Sequence, residues 1–343
     1  MRLVDRLDRF QRRHSFLGFP IAVGYKVFDD RAVYHAALIA YYGFLSMFPL
    51  LLLFFSVVGY VVHGDASLQQ RLANSALRNF PIVGPQLRGS ISSFSGSGPA
   101  IAVGIVGSLY GGLGIMQAAQ SAFNQMYGIP RNEQPNPLTS WLRSLGLLAL
   151  LGSGILASSA LTIFVSTVRS VGGTALGGGL TVGGGVLSFL LNVALFGGAF
   201  QLLTARDLRW RNVLTGGMLA AASWFVLQAE GTVYLAHRLH HAQQLYGSFA
   251  IVLALLGYIF LQALVVVIGA EINVVLHRRL WPRALLTPFT DEVELTDVDR
   301  HLYAGYARAQ RFKGFERIEV EFDEADTDAP PTRQREAERT TSH

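Results

Sequence analysis

The sequence predicts an all-α, polytopic membrane protein with six transmembrane helices and both termini in the cytoplasm. Hydrophobic residues make up 51% of the 343 residues and charged residues only 15%, whereas soluble domains carry about 25% charged residues. Acidic residues are scarce in the middle of the chain: five occur between Arg31 and Leu280, and 14 of the 23 lie after residue 290. A stretch so long and so poor in charge predicts a membrane domain followed by a soluble tail.

Six apolar runs are long enough to cross a hydrocarbon core of about 30 Å, which takes about 20 helical residues. The predicted spans are 32–62, 99–127, 141–168, 182–204, 211–236 and 245–277. Three regions follow from them: a cytoplasmic amphipathic N-terminal segment (1–31), a six-helix transmembrane domain (32–280) and a cytoplasmic acidic tail (281–343). The tail is poor in apolar residues, so we expect it to be largely disordered.

The orientation follows from the distribution of Arg and Lys around the spans. Fifteen of these residues precede span 1 or follow spans 2, 4 and 6, against five in the other connections. Cytoplasmic loops carry the excess of positive charge. The asymmetry therefore predicts that both termini and residues 129–140 face the cytoplasm, and that residues 63–98 face outside.

The segments outside the spans give three further expectations. Residues 2–14 place Leu3, Leu7 and Phe10 on one helical face among arginines, which suits a helix on an anionic leaflet or a short helix packed on the protein. Residues 68–80 have helical periodicity before two prolines, so we expect a short external helix there. The glycine-rich residues 171–185 predict a flexible connection.

Span 1 contains polar residues and a proline in its middle: Tyr41, Tyr42, Ser46 and Pro49. Pro49 lacks the N–H that would bond to the carbonyl of Leu45, which predicts a kink and a free carbonyl. Tyr42 and Ser46 are four residues apart and share one face, one turn before the kink. The group predicts either one wall of a polar pathway or a structural kink whose hydroxyls bond to neighbouring helices.

Span 2 carries an amide stripe: Gln117, Gln120 and Asn124 fall at i, i+3 and i+7. Such a stripe predicts either the lining of a pathway or hydrogen-bonded contacts between helices. Three glycines upstream permit close approach of another helix: Gly104, Gly107 and Gly111.

Span 6 ends with Glu271 and Asn273, in the sequence GAEIN. Ionisable residues within spans are costly and tend to face partners or water. Glu271 therefore predicts either an ion pair, with Arg278 or with an arginine of another helix, or a proton-carrying site.

Span 5 has four polar residues at i, i+4, i+7 and i+11 on one face: Glu230, Tyr234, His237 and His241. A metal or proton site is conceivable there, but the spacing matches no known ligand motif, so an interfacial polar edge is the preferred interpretation.

The chain lacks the motifs of common enzymes. It has no cysteine, and we find no phosphate-binding loop, nucleophile elbow or zinc motif. We therefore expect no catalytic activity, no cofactor and no bound metal. The arginines lie beside apolar spans, which indicates membrane topology and not nucleic-acid binding. The expected partners are membrane lipids and an unidentified solute or lipid.

Three stretches together resemble the YihY/BrkB family of bacterial inner-membrane proteins. They are HAALIAYYGFLSMFPLLLLFFSVVG (35–59), GGLGIMQAAQSAFNQMYGIPRNE (111–133) and YGSFAIVLALLGYIFLQALVVVIGAEINVVL (246–276). Among members, the chain is most similar to the YhjD type. The resemblance implies six helices and a multi-pass location in the plasma membrane. It also implies links to serum resistance and to export of envelope lipids or solutes, while some members carry a ribonuclease label.

These observations favour a transporter or exporter of a small solute or envelope lipid. The alternative is an envelope scaffold that does not transport and binds partners through its external connection and terminal segments. The two differ in the interior, because a transporter needs a polar path between its helices whereas a scaffold can be packed dry.

Overall fold

A computed structural model of the chain describes residues 8–12, 14–61, 98–171, 173–246, 248–285, 287 and 293–322. In this part of the chain every regular element is helical, as the composition predicts. The helices are α1 (Ser15–Asp29), α2 (Ala32–Val61), α3 (Gly98–Met126), α4 (Pro137–Val171), α5 (Gly173–Leu203), α6 (Trp210–Tyr246), α7 (Ser248–Arg278) and α8 (Asp297–Ala309), with a 3₁₀ turn at Arg131–Glu133.

Each predicted span coincides with one long helix of the series α2 to α7. Among the described residues, three stretches are long and apolar enough to cross a membrane: Pro137–Val165, Val182–Leu203 and Val252–Arg278. A shorter apolar helix covers Ala32–Met47. The count of six spans and the positions of the termini stay predictions, and the expected external helix lies outside the described residues.

The residues divide into two compact units. We call Lys26–Ile129 with Glu133–Arg279 the helical unit, and Met1–Tyr25, Pro130–Asn132 and Leu280–His343, where described, the terminal unit. In the helical unit, α2 packs on α3 and α7, α7 packs on α6, α6 on α5, and α5 on α4.

Close packing in the helical unit depends on glycine. A Cβ atom at Gly107 would lie 2.9 Å from the ring of Pro49, and one at Gly111 would lie 2.6 Å from the Cα atom of Ser46. The glycines of α3 therefore let the backbone of α2 approach more closely than any other residue would permit.

The prediction of a flexible connection at 171–185 is wrong for the part that the structure describes, because α5 already begins at Gly173. Glycine costs about 1 kcal/mol in a helix. Close helix contact offsets this cost: a Cβ atom at Gly184 would lie 2.9 Å from a methyl group of Val165 in α4. Gly184 therefore serves the packing of two apolar helices, whereas a Cβ atom at Gly183 or Gly185 would meet no such neighbour within 4 Å.

The terminal unit is built around a buried ion pair. The Nε atom of Arg283 lies 2.8 Å from Oδ1 of Asp299, and both side chains are fully buried. Asp299 also accepts a hydrogen bond from the main-chain N–H of Ala284 (2.9 Å) and forms a capping box with Thr296 at the start of α8. These bonds order the chain on both sides of the ion pair.

Within the tail that is expected to be largely disordered, α8 is thus an ordered helix, and the expectation for the tail as a whole stays a prediction. Composition alone predicts disorder because residues 293–322 offer little apolar surface, but α8 is held by polar contacts that composition does not reveal. Residues 323–343 lie outside the described residues.

Residues 8–12 are also tied into the terminal unit. The side-chain amide of Gln11 donates to the carbonyl of Arg283 (2.5 Å), and the N–H of Leu285 donates to Asp8 (2.9 Å). These contacts favour a short helix packed on the protein for this segment. Leu3 and Leu7 lie outside the described residues, so the alternative, a helix that lies on the membrane surface, stays a prediction.

Candidate functional site

The most unusual group in the helical unit is a buried charged triad, which we define as Lys26, Asp30 and Glu271. Their exposed fractions are 1%, 1% and 0%. The ammonium of Lys26 forms an ion pair with Asp30 and lies 3.5 Å from Oε2 of Glu271. Ionisable groups are almost never fully buried unless they are paired, so a cluster of three marks this place as exceptional.

Three local features bring the triad together. Lys26 and Asp30 are four residues apart in the last turn of α1 and the residue after it, so their side chains lie on one face. The next residue, Arg31, has φ +52°, a left-handed conformation at the reversal into α2. Glu271 comes from α7, which packs on α2.

The end of α3 supplies a further partner for the ammonium. Lys26 donates to the carbonyl of Met126, the last residue of α3, at 3.1 Å. The last carbonyls of a helix have no partner within the helix and carry the negative end of its dipole. A cation is therefore well placed there.

The negative groups of the triad are not fully satisfied. Neither oxygen of Glu271 nor Oδ1 of Asp30 has a hydrogen-bond partner, although all three atoms are buried. The hydroxyl of Tyr127, immediately after α3, is likewise buried without a bond. Buried polar groups in native proteins are nearly always bonded, so these four atoms are exceptional.

The cation opposite Glu271 differs from the arginine that the sequence suggests. Lys26 occupies this position, whereas Arg278 donates to the main-chain oxygen of Tyr127 at 2.5 Å. Seven residues separate Glu271 from Arg278, which is about 10 Å along a helix, so the two side chains start from different levels. The alternative of a proton-carrying Glu271 stays a prediction.

Asn273 belongs to a different contact from Glu271. Its side chain accepts a hydrogen bond from the N–H of Gly216 (2.7 Å) and donates to the carbonyl of Val213 (3.3 Å), both in α6. A Cβ atom at Gly216 would collide with Asn273 and with the carbonyl of Gly269. Asn273 therefore joins α7 to α6 at a point of close backbone contact.

The polar residues of span 1 face in different directions. Tyr41 is 58% exposed, whereas Ser46 is fully buried and donates to the carbonyl of Gly43 (3.1 Å). A Cβ atom at Gly114 would lie only 2.5 Å from the ring of Tyr42. With Pro49, the residues Tyr42 and Ser46 thus contact the glycine face of α3, and a pathway-lining role for the group stays a prediction.

The three residues of the amide stripe in span 2 differ in their exposure and in their contacts. Gln117 is exposed, whereas Gln120 and Asn124 are buried. Gln120 donates to Ser144 Oγ (3.0 Å) and accepts from Ser140 Oγ (2.5 Å), both in α4. Asn124 accepts from the N–H at position 205, just after α5, at 2.9 Å. These bonds connect helices, and a pathway-lining role for the stripe stays a prediction.

Sequence reasoning missed Lys26 and Asp30, which it assigned to the charged segment before span 1. One signal was available, since KVFDD puts opposite charges at the i, i+4 spacing of a helix. Their burial depends on α3 and α7, which lie far away in the chain, so no local pattern predicts it.

Among the described residues, no group of three His, Cys, Asp or Glu residues could hold a metal ion. In the polar edge of span 5, Glu230 is exposed, and the side chains of Tyr234, His237 and His241 lie outside the described residues.

Comparison with known proteins gives consistent family names. The chain is 28% identical to a UPF0761 membrane protein of Methylibium petroleiphilum over 66% of its own length and 54% of the relative, so it spans about half of that protein. It is 23% identical to a UPF0761 membrane protein of Pseudoalteromonas atlantica, over 72% of the chain and 82% of the relative. A Bacillus subtilis relative named ribonuclease-like protein YfkH is 21% identical over 71% of the chain and 90% of its own length.

No solved structure matches the chain. A family model described as Virulence factor BrkB matches residues 24–289, which include the charged triad and all of α2 to α7. Since this match covers most of the 343 residues, the chain belongs to the BrkB family of membrane proteins, as its resemblance to the YihY/BrkB family predicts.

Proposed function

We propose that this protein is a YhjD-like transporter or exporter of the plasma membrane, which moves a small solute or an envelope lipid. In this proposal the protein crosses the membrane six times with both termini in the cytoplasm. The observation that carries it is the buried charged triad: two carboxylates face one lysine, and these three are the only buried charged side chains among the described residues of the helical unit.

The free energy of burial explains why the triad supports transport. Bringing a charge out of water costs several kcal/mol, and well-packed apolar residues are often as stable as a buried ion pair or more so. Ionisable residues inside membrane proteins mark substrate and ion pathways. A protein that only anchors partners does not require a buried carboxylate such as Glu271.

A second candidate function, an envelope scaffold, is favoured by the terminal unit. Phe312 and Phe315 are 56% and 88% exposed next to the ordered helix α8. Large exposed aromatic side chains are enriched where proteins bind partners. This function needs no polar path through the helical unit.

We propose no enzymatic activity for the chain. The ribonuclease-like name belongs to a relative that is 21% identical. Nuclease chemistry needs a metal ion or an acid–base pair that meets its substrate in water, and our proposal uses the triad for transport and not for hydrolysis.

The proposal is tested by comparing the exported metabolites and membrane lipids of cells with and without the gene. We expect at least one exported compound to disappear without the gene and to return with the wild-type chain. Glu271→Gln should not restore it, whereas the matched control Glu133→Gln should, because Glu133 is exposed in the 3₁₀ turn.

Two outcomes would contradict transport. Unchanged metabolite and lipid profiles in cells without the gene would favour the scaffold. Full restoration by Glu271→Gln, at wild-type expression, would show that export does not depend on the triad.

A further inference from the structure

We propose that Asp30 and Glu271 form a binding site for one proton, and that this proton is the coupling ion of the transport proposed above. The inference rests on the proposed function only for the coupling; the proton site itself follows from the geometry and charge of the triad.

The first argument is the charge of the triad. With both carboxylates ionised, two negative charges face the single positive charge of Lys26. The excess negative charge would be buried, since all three side chains are almost completely inaccessible. An uncompensated buried charge is avoided by taking up a counter-charge, and a proton on one carboxylate makes the triad neutral.

The second argument is the hydrogen bonding. Both carboxyl groups lie against the same ammonium, that of Lys26, and are therefore close to each other. Ionised carboxylates only accept hydrogen bonds, so an Asp30–Glu271 pair cannot bond while both are charged. One proton converts one of them into an O–H donor, so that Oδ1 of Asp30 and one oxygen of Glu271, which otherwise have no partner, can bond to each other.

The third argument concerns the identity of the ion. The ammonium of Lys26 already occupies the place between the carboxylates and is bonded to Asp30 and to the carbonyl of Met126. A metal ion there would meet that positive charge at close range and would need several more oxygen ligands than the triad offers. A proton needs one oxygen atom and no added space.

Other ionisable groups surround the pair from each packed element. Tyr127, which follows α3, interacts electrostatically with Glu271 and with Arg278 of α7. His35 of α2 interacts with Asp30 and lies 3.1 Å from the side chain of Gln125. The arginine among them, Arg278, donates to the main-chain oxygen of Tyr127, whereas Lys26 is the cation that lies against both carboxylates. The acidic pair is therefore the natural location of the proton.

Proton binding at this site is reversible. A proton from water adds to one carboxylate oxygen and leaves the triad neutral; its release restores the second negative charge. Release is favoured when the ammonium moves closer to the acidic pair or when water enters, since both stabilise the charged form.

Infrared spectroscopy of the purified full chain in detergent tests the site directly. A protonated carboxyl group has a carbonyl stretch that a carboxylate lacks. We expect the wild-type chain in sodium-free buffer at neutral pH to show this band, and we expect it to vanish as the pH rises. Glu133→Gln is the control, because this exposed residue lies in the 3₁₀ turn, and the band should persist in it.

The variants assign the band. Both Asp30→Asn and Glu271→Gln should remove it at neutral pH, because each leaves one carboxylate facing Lys26 and the pair needs no proton. Lys26→Met should strengthen it, because both carboxyl groups then become protonated. If these variants fail to fold, isotopically labelled glutamate or aspartate in the wild-type chain assigns the band to one of the two residue types.

Three results would overturn the proton site: no band in the folded wild-type chain at neutral pH, a band that persists in both acidic variants, or a band that sodium chloride abolishes at constant pH. The last result would identify a metal-cation site. A band with these properties in a chain whose Glu271→Gln variant exports normally would leave the site intact and contradict the transport proposal.

Discussion

At the scale of single residues, packing of the helical unit depends on glycines, which have no side chain and so permit close contact between helices. Gly107, Gly111 and Gly114 leave room on α3 for Pro49, Ser46 and Tyr42 of α2, respectively. Contact at this distance brings many atoms together, and such contacts hold helices together where the hydrophobic effect between them is weak.

Gly111→Ala should destabilise the protein. Its new Cβ atom would lie 2.6 Å from the Cα atom of Ser46, so the backbone of α2 would have to move. Overpacking of this kind costs about 1–3 kcal/mol. Thermal unfolding in detergent measures the effect.

The matched control is Gly146→Ala in α4, where no atom lies within 4 Å of the new methyl group. Alanine favours a helix over glycine by about 1 kcal/mol, so this variant should melt at the wild-type temperature or above it. Equal melting of the two variants would show that the α2–α3 contact is looser than the structure indicates.

At the scale of elements, polar side chains connect helices at defined points. Gln120 joins α3 to α4, Asn124 joins α3 to the end of α5, and Asn273 joins α7 to α6. In the terminal unit, Arg283 and Asp299 connect the segment after α7 to α8. The two kinds of connection differ in strength, because the first are neutral and the second is ionic.

Gln120→Leu should cost little. The change removes the bonds to Ser140 and Ser144, and hydrogen bonds between membrane helices contribute about 0.6 kcal/mol on average. We therefore expect slightly lower thermal stability and unchanged export in the cellular assay. Loss of export at normal expression would instead support a pathway-lining role for Gln120.

Arg283→Ala should destabilise α8, because it removes the ion-pair partner of Asp299. Removing one partner of a buried ion pair costs about 3–5 kcal/mol, because the other charge stays buried alone. Hydrogen exchange of the amides in Asp297–Ala309 should therefore become much faster. The control is Arg317→Ala, since Arg317 and Glu319 are 87% and 78% exposed and 3.9 Å apart; exchange in α8 as slow in Arg283→Ala as in this control would contradict the role of the pair.

At the scale of the whole molecule, the open question is how the chain crosses the membrane. The family assignment and the apolar helices establish a membrane protein. The predicted orientation rests on the excess of Arg and Lys on one side, which the positive-inside rule assigns to the cytoplasm.

Cysteine labelling tests the orientation cleanly, because the chain has no cysteine of its own. Ser92→Cys should react with a membrane-impermeant reagent in intact cells. Glu133→Cys should react only after the cells are permeabilised, and its exposed position makes it accessible to the reagent once inside. Labelling of Glu133→Cys in intact cells would reverse the predicted topology.

The sequence by itself determines the helices and the family. Apolar runs of about 20 residues can only satisfy their backbone groups in lipid as helices, so composition and length predict α2 to α7. However, α5 begins nine residues before its predicted start at 182, and α6 ends ten residues after its predicted end at 236. The tight approach of α3 was also predictable from glycines at helical spacing, because a missing side chain has the same effect wherever the partner lies.

Only the tertiary structure decided which charges meet. Glu271 stood out from the sequence, but its cation was expected among the arginines, whereas Lys26 takes that place with Asp30 beside it. The triad joins residues almost 250 positions apart, and Arg283 pairs with Asp299, 16 residues later in the chain. Helix formation depends on neighbours along the chain, whereas the pairing of buried charges depends on how distant helices pack, so the first can be predicted from a sequence and the second cannot.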